Sequence, residues 1–306
     1  MPVGNQIDNS KKFDEKENKK QITFEVDNPR FCLDDIIVSD ETKNDILSLI
    51  SFKENSSYVF GVMGFSLTHK NSNRFVVNFY GPPGTGKTIT AHAVANSFNK
   101  KILIVDYSQI ESKYVGDTPK NLRKLFEFAS DVNCLIFFDE ADAILSRRVT
   151  NMQSATDTSV NQTRSVLLNI LNDYEGDVIF SSNFISNYDP AFMRRISKHI
   201  EFRLPDASSR YKLFNKYIPQ GLISSINIEH LVSISDGISA SDIETATLLS
   251  GFYAASNGKI KITTEDVNEQ ILSIRKSKIE NAKKNYEITT MPISEEQAKR
   301  QLGENI

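Results

Sequence analysis

The sequence predicts an α/β domain built on a mostly parallel sheet, followed by a smaller all-helical unit. Five apolar runs with the bias of buried strands alternate with helical stretches up to residue 205, as in strands joined by crossover helices. Beyond Asp206 such runs stop and segments of helical period take over. The first run leads into Gly81-Pro82-Pro83-Gly84-Thr85-Gly86-Lys87-Thr88, which fits the phosphate-loop pattern G-x-x-x-x-G-K-[ST] in full.

The loop's context is the one its chemistry requires. Phe75-Val76-Val77-Asn78-Phe79-Tyr80 reads as a buried strand before it, and Ile89 to Ala95 as a helix after it. Glycines let backbone N–H groups close around phosphate oxygens, and the helix N-terminus adds partial positive charge. Lys87 is placed to reach the β- and γ-phosphates of ATP, and the Thr88 hydroxyl to ligate Mg2+.

Taken in order, residues 1–22 are polar and of mixed charge, the composition of a solvated tail. The α/β domain is expected over 23–205. Ahead of the five strand-like runs, the apolar stretch Phe31 to Val38 suits core packing or a backbone passing an adenine ring. The run ends in Ser39-Asp40-Glu41-Thr42, a helix start before Lys43 to Phe52. Lys101 to Asp106 reads as the second strand, and Asn121 to Ala129 as a helix with Leu122, Leu125, Phe126 and Ala129 on one face.

Cys134-Leu135-Ile136-Phe137-Phe138-Asp139-Glu140 reads as a parallel strand buried on both faces and ending in two carboxylates. Asp139 is placed to hold the metal and Glu140 to polarise an attacking water. Taken alone, the pair also suits a helix N-cap; the phosphate loop tips the reading toward catalysis. Arg147 to Thr158 is polar and expected to be a loop, with a helix at Val160 to Leu171. Asp177 to Asn183 reads as a strand ending in polar residues, with Asn183 placed to orient the attacking water or touch the γ-phosphate; taken alone, an Asn there also suits a turn former. Asp189 to Arg195 reads as a short helix with Pro190 in its first turn, and His199 to Leu204 as the last strand.

Helices are expected at Ser208 to Ile218, Asn227 to Ser235, Ser239 to Asn257 and Thr263 to about Lys284, making a helical unit over 206–285. Ser239-Ala240-Ser241-Asp242 and Thr263-Thr264-Glu265-Asp266 are good helix starts. Residues 286–306 form a tail in which Ser294-Glu295-Glu296-Gln297 fits the capping box of a short last helix.

Composition narrows the function. A net charge of -3 argues against a dedicated nucleic-acid binder. Two cysteines, Cys32 and Cys134, support no disulfide framework and point to a reducing, cytoplasmic compartment. No apolar stretch is long enough for a membrane span, and the N-terminus lacks a signal peptide's apolar region.

These residues together resemble the AAA+ ATPases, and within them the AAA clade proper, over roughly residues 31–280. Gly81 to Thr88 is similar to Walker A, and Leu135 to Glu140, continued by Ala141-Asp142-Ala143-Ile144, to Walker B. Asn183 falls at the sensor-1 position, and Arg194 and Arg195 where the family supplies arginine fingers to a neighbour's ATP. Gly237-Ile238-Ser239-Ala240-Ser241-Asp242 resembles the sensor-2 region, with Ala240 and Ser241 in place of Gly-Ala. Lys113-Tyr114-Val115-Gly116 resembles the pore loop that grips polypeptide. The resemblance implies a three-layer P-loop NTPase domain with a parallel five-stranded sheet and a small all-α lid. It further implies ATP and Mg2+ as ligands, a homohexameric ring, and a protein substrate drawn through its pore.

A narrower likeness is to the pachytene-checkpoint ATPases that remodel HORMA-domain proteins. It lies in Asn71-Ser72-Asn73, Thr156-Asp157-Thr158-Ser159, and Ser181-Ser182-Asn183 through Ala191-Phe192. Bacterial relatives of that type act in antiphage signalling, which makes a HORMA-domain protein the expected partner. That family carries a folded N-terminal substrate-binding domain where this sequence has a charged tail. The alternatives are remodelling of another assembly, feeding of a protease, and a nucleic-acid-directed ATPase. The last would call for a basic tract that the sequence does not show.

Overall fold

A computed structural model describes residues 24–69, 75–106, 118–146, 155–184, 188–223 and 225–286. The tail at 1–22, the loop Lys113-Tyr114-Val115-Gly116 and the short helix expected after Ser294 lie outside the described residues.

The sheet is parallel and five-stranded: β1 (Phe75–Tyr80), β2 (Ile102–Asp106), β3 (Leu135–Asp139), β4 (Asp177–Ser182) and β5 (Lys198–Glu201), in the spatial order β2-β3-β4-β1-β5. Side chains alternate across it. Phe75, Val77, Phe79, Phe137 and Ile179 pack on one face beneath α1 (Asp40–Ser57) and α2 (Lys87–Ser97). Val76, Ile136, Phe138, Val178 and Phe180 pack on the other. That second face is covered by α3 (Thr118–Val132), α4 (Asp142–Leu145) and α5 (Ala155–Asp173). Burial on both faces explains why the strands read as continuous apolar runs. The short α6 (Pro190–Met193) links β4 to β5, and the buried Phe192 anchors it in the second layer.

The helical domain contains α7 (Ala207–Tyr217), α8 (Gln220–Ile223), α9 (Ile228–Ile234), α10 (Ala240–Ser256) and α11 (Thr264–Tyr286). It has its own core, including Phe214, Leu231, Ile243 and Ile271. The helix starts read from the sequence are capped. Ser239 and Asp242 bond reciprocally to each other's backbone N–H, and Thr263 and Asp266 do the same. The run at 31–38 packs rather than lining the phosphate-loop cavity. Leu33 and Val38 meet the sheet core, Ile37 meets the helical core, and Lys216 Nζ donates to Asp35 O at 2.8 Å.

Several boundaries differ from the expectation. α1 runs on to Ser57 rather than ending at Phe52, because Lys53 is held by the buried Asp177 at 2.5 Å and Lys100 clamps the same carboxylate at 2.8 Å. The loop expected up to Thr158 is already helical from Ala155. The polar residues there contain no Gly or Pro, and polarity reports exposure rather than a break in conformation. β5 ends at Glu201, not Leu204. Phe202 N still donates to Tyr80 O at 2.7 Å, but the edge position and Pro205 allow no further pairing. α8 and the π-helical turn at Tyr58–Val62 have no counterpart in the expectation.

Asp206 caps α7 by accepting from Ser209 N at 2.7 Å, and that backbone bond holds its carboxyl below the usual value. Asp206→Ala should lower unfolding stability by about 1 kcal/mol at neutral pH. A depressed carboxyl stabilises above its unfolded pKa and loses that effect as pH falls through the folded one. The deficit of the variant should therefore shrink in melts taken below about pH 4.

Candidate nucleotide site

The phosphate loop leaves the carboxyl end of β1 and closes on itself. Gly81 N donates to Ser182 O at 3.2 Å. Gly81 has φ +141°, and a Cβ there would lie 1.9 Å from Phe202 O, so glycine is required both by conformation and by close approach. Gly84, at φ +73°, meets the helical domain, where Ser241 N donates to its carbonyl at 3.1 Å. Gly86 leads directly into α2. Thr85 Oγ1 donates to Pro82 O at 2.8 Å, fixing the turn between Pro82 and Thr85. Lys87 is buried and its Nζ donates to Gly81 O at 2.7 Å and Pro82 O at 3.0 Å. Burial pushes its pKa down, against the opposing charges of Asp139 and Asp142.

Two strands over, β3 delivers the carboxylates. Asp139 Oδ2 accepts from Thr88 Oγ1 at 3.2 Å, and its Oδ1 accepts from Glu140 N at 3.0 Å. Glu140 has φ +50°, a conformation costly for a residue with a Cβ. Its neighbours hold it there, since Ala141 N donates to Ser181 O at 2.8 Å. Asp142 then accepts from Asn183 N at 2.9 Å and from Phe184 N at 3.3 Å. Beneath this junction Tyr188 Oη donates to Ser182 Oγ and to Asn78 Oδ1, and burial pushes the Tyr188 phenol up to about 12.

These elements enclose a cavity of about 280 Å3. Pro83, Gly84, Gly86, Lys87 and Thr88 line one wall, with Asp139, Glu140 and Asn183 beside them. Tyr217, Ala240, Ser241 and Glu244 line the wall made by the helical domain. Gly81, Pro82 and Thr85 shape the loop from behind. Arg194 and Arg195 lie outside the cavity and differ from each other. Arg195 is half-buried, its Nε donating to Asn172 Oδ1 at 2.8 Å and Leu168 O at 3.1 Å, and its Nη1 to Ala191 O at 2.9 Å. Arg194 is exposed, and its Nε reaches only as far as Pro190 O in its own turn, at 3.4 Å.

The donors fit a magnesium ion carried in with a nucleotide. One hydroxyl and one carboxylate oxygen meet at 3.2 Å in the cavity that Lys87 also lines, a hard oxygen set that leaves positions for phosphate and water. Among the described residues no group of three or more His, Cys, Asp or Glu could hold a metal by itself.

The family model for the ATPase family associated with various cellular activities (AAA) matches residues 77–204. The chain carries an AAA ATPase domain. A second model, parvovirus non-structural protein NS1, matches residues 9–103, a span that includes the phosphate loop. Among similar proteins is the 26S proteasome regulatory subunit 4 homolog B of Arabidopsis thaliana, 37% identical over 62% of this chain and 44% of that protein. The proteasome-activating nucleotidase of Saccharolobus solfataricus is 34% identical over 69% of this chain and 56% of its own length. That of Methanococcus vannielii is 31% identical over 70% and 54%. The chain thus spans about half the length of the relatives it matches. No helix among the described residues is long and apolar enough to cross a membrane.

Sequence reasoning did not find Asn78, Tyr188, Tyr217 or Glu244. Asn78 carries a readable signal, being a polar residue in the middle of an apolar strand, a position that demands a partner. Asp142 was quoted only as part of a motif. Asp142→Ala leaves two backbone N–H groups of the Asn183 turn without their acceptor. It should destabilise the domain by about 1–3 kcal/mol, read as a lower Tm against the unmodified protein.

Proposed function

We propose that this protein hydrolyses ATP and uses the cycle to remodel other proteins, working as a homohexameric ring. The observation that carries this is the convergence, in one cavity, of Lys87 and Thr88 with Asp139, Glu140 and Asn183, while Arg194 is exposed and outside its lining. In this reading Gly84 to Thr88 bind the phosphates, and Lys87 gives up its carbonyl partners to reach them. Thr88 and Asp139 hold Mg2+, which when bound neutralises phosphate charge. Glu140 accepts a proton from the attacking water, and Asn183 orients the γ-phosphate. Arg194 completes the site of the adjacent protomer. Arg195, engaged by α5 and its own helix, serves structure instead.

The remaining expectations are part of this proposal. Residues 23–205 form the ATPase domain, 206–285 the lid, with tails at 1–22 and 286–306. Lys113 to Gly116 line the pore, where Tyr114 and Val115 grip polypeptide. Likeness to proteasome-activating nucleotidases supports an unfolding activity and makes a protease one receiver of the product. The narrower reading, a HORMA-domain protein as substrate in antiphage signalling, rests on the sequence likeness alone. Capture with a Glu140→Gln trap separates the two.

Glu140→Gln should bind ATP, stabilise the ring and stop turnover. Arg194→Ala should reduce kcat by about 10^3–10^5 with little change in ATP affinity. Phosphate release and equilibrium nucleotide binding measure both. Rapid hydrolysis by Glu140→Gln, or by a monomer lacking Arg194, refutes the assignment. Tyr114→Ala should retain most ATPase activity while losing unfolding of a fluorescent substrate; full unfolding by that variant removes the pore-loop role.

A further inference from the structure

The cavity lining has two chemistries. Lys87, the backbone of the phosphate loop and the Thr88 hydroxyl are suited to anions. Tyr217 at the end of α7 and Glu244 in α10 come from the helical domain. With the phosphates at Lys87 and their terminal group toward Glu140 and Asn183, the lining left for the nucleoside includes Tyr217 and Glu244.

A carboxylate on that wall cannot serve phosphate, which it repels. What it can do is accept hydrogen bonds from hydroxyl groups. Glu244 forms no ion pair among the described residues, so its oxygens are not committed to a lysine or arginine. Among the described residues it also belongs to no group of three or more His, Cys, Asp or Glu that could hold a second metal. Tyr217 is half-buried beside it. Burial first, then the Glu244 charge and a hydrogen bond to it, push the Tyr217 phenol up, so the phenol stays a donor. A donor and an acceptor thus share the part of the cavity lining that the helical domain contributes. A vicinal ribose diol presents two O–H donors, and a single acidic side chain is a sufficient acceptor for them.

We propose that Glu244, positioned by Tyr217, binds the ribose hydroxyls of the nucleotide and makes the site selective for ribonucleoside over 2′-deoxyribonucleoside triphosphates. The inference rests on the cavity being the ATP site proposed above. A site built around a hydroxyl rejects the analogue lacking it, because the acceptor is left without its donor. The exposure of Glu244 before binding tempers the effect, and a charge-assisted bond still corresponds to about tenfold in affinity or more.

The test compares ATP with 2′-deoxy-ATP by calorimetry on the full chain in the Glu140→Gln background, which binds without turnover. The parent should prefer ATP by about tenfold. Adding Glu244→Ala should weaken ATP alone and bring the two dissociation constants together. Tyr217→Phe, which keeps the ring, should narrow the ratio while leaving 2′-deoxy-ATP binding unchanged. Equal affinity of the parent for both nucleotides overturns the ribose role and leaves the ATP site standing. A preference that survives Glu244→Ala assigns it to another group and also overturns the proposal. Binding of neither nucleotide removes the ATP reading itself, and this inference with it.

Discussion

The parallel pairing of β1 with β4, and of β4 with β3, is the constraint on which the site depends. Phe75 to Tyr80 align with Asp177 to Ser182 residue for residue, and Ile136 to Phe138 continue the ladder on the other side of β4. All three strands therefore end at the same level. The phosphate loop, the Ser182–Asn183 turn and the Asp139–Glu140 pair emerge side by side, although about fifty residues separate the first from the last and about forty separate the last from Asn183. Ligands of open α/β sheets bind at such carboxyl ends, where loops diverge. At the opposite end Asp177, clamped by Lys53 and Lys100, secures the amino terminus of β4 against α1 and the segment after α2.

Short polar bonds refine this level surface. Glu140 is held at positive φ by bonds on both sides of it, from its own N–H to Asp139 and from Ala141 to Ser181. Asp142 fastens the next turn to Asn183. A residue held in a sparsely populated conformation needs surroundings that over-determine it, and these neighbours supply them. The Tyr188–Ser182–Asn78 cluster lies directly below in the apolar core. The two hydroxyls and Asn78 Oδ1 are paired there, while the buried Asn78 Nδ2 has no partner among the described residues.

The helical domain belongs to the site rather than adjoining it. Ser241 N bonds to Gly84 O, and a Cβ at Gly84 would lie 2.1 Å from Ser241 Oγ. Movement of α10 must therefore be felt by the phosphate loop. Arg194 and Arg195 divide in the same spirit. One is engaged within the fold and the other is exposed.

Much of this was legible in the sequence, for reasons that are local. Continuous apolar runs marked the five buried strands, Ser239 and Thr263 announced helix starts, and the spacing of glycines before Lys87 and Thr88 implied the loop whose geometry is seen. The pair Asp139-Glu140 was readable because it follows an apolar strand. Sequence could not tell the surroundings of Arg194 from those of Arg195, since adjacent residues of one type differ only in what packs on them; Asn172 and Leu168, more than twenty residues away, engage Arg195. Nor could it place Tyr217 and Glu244 in one cavity with Lys87, because they share no local pattern with the loop. Only the packing of the helical domain on Gly84, a long-range contact with no period or motif, brings them to one cavity.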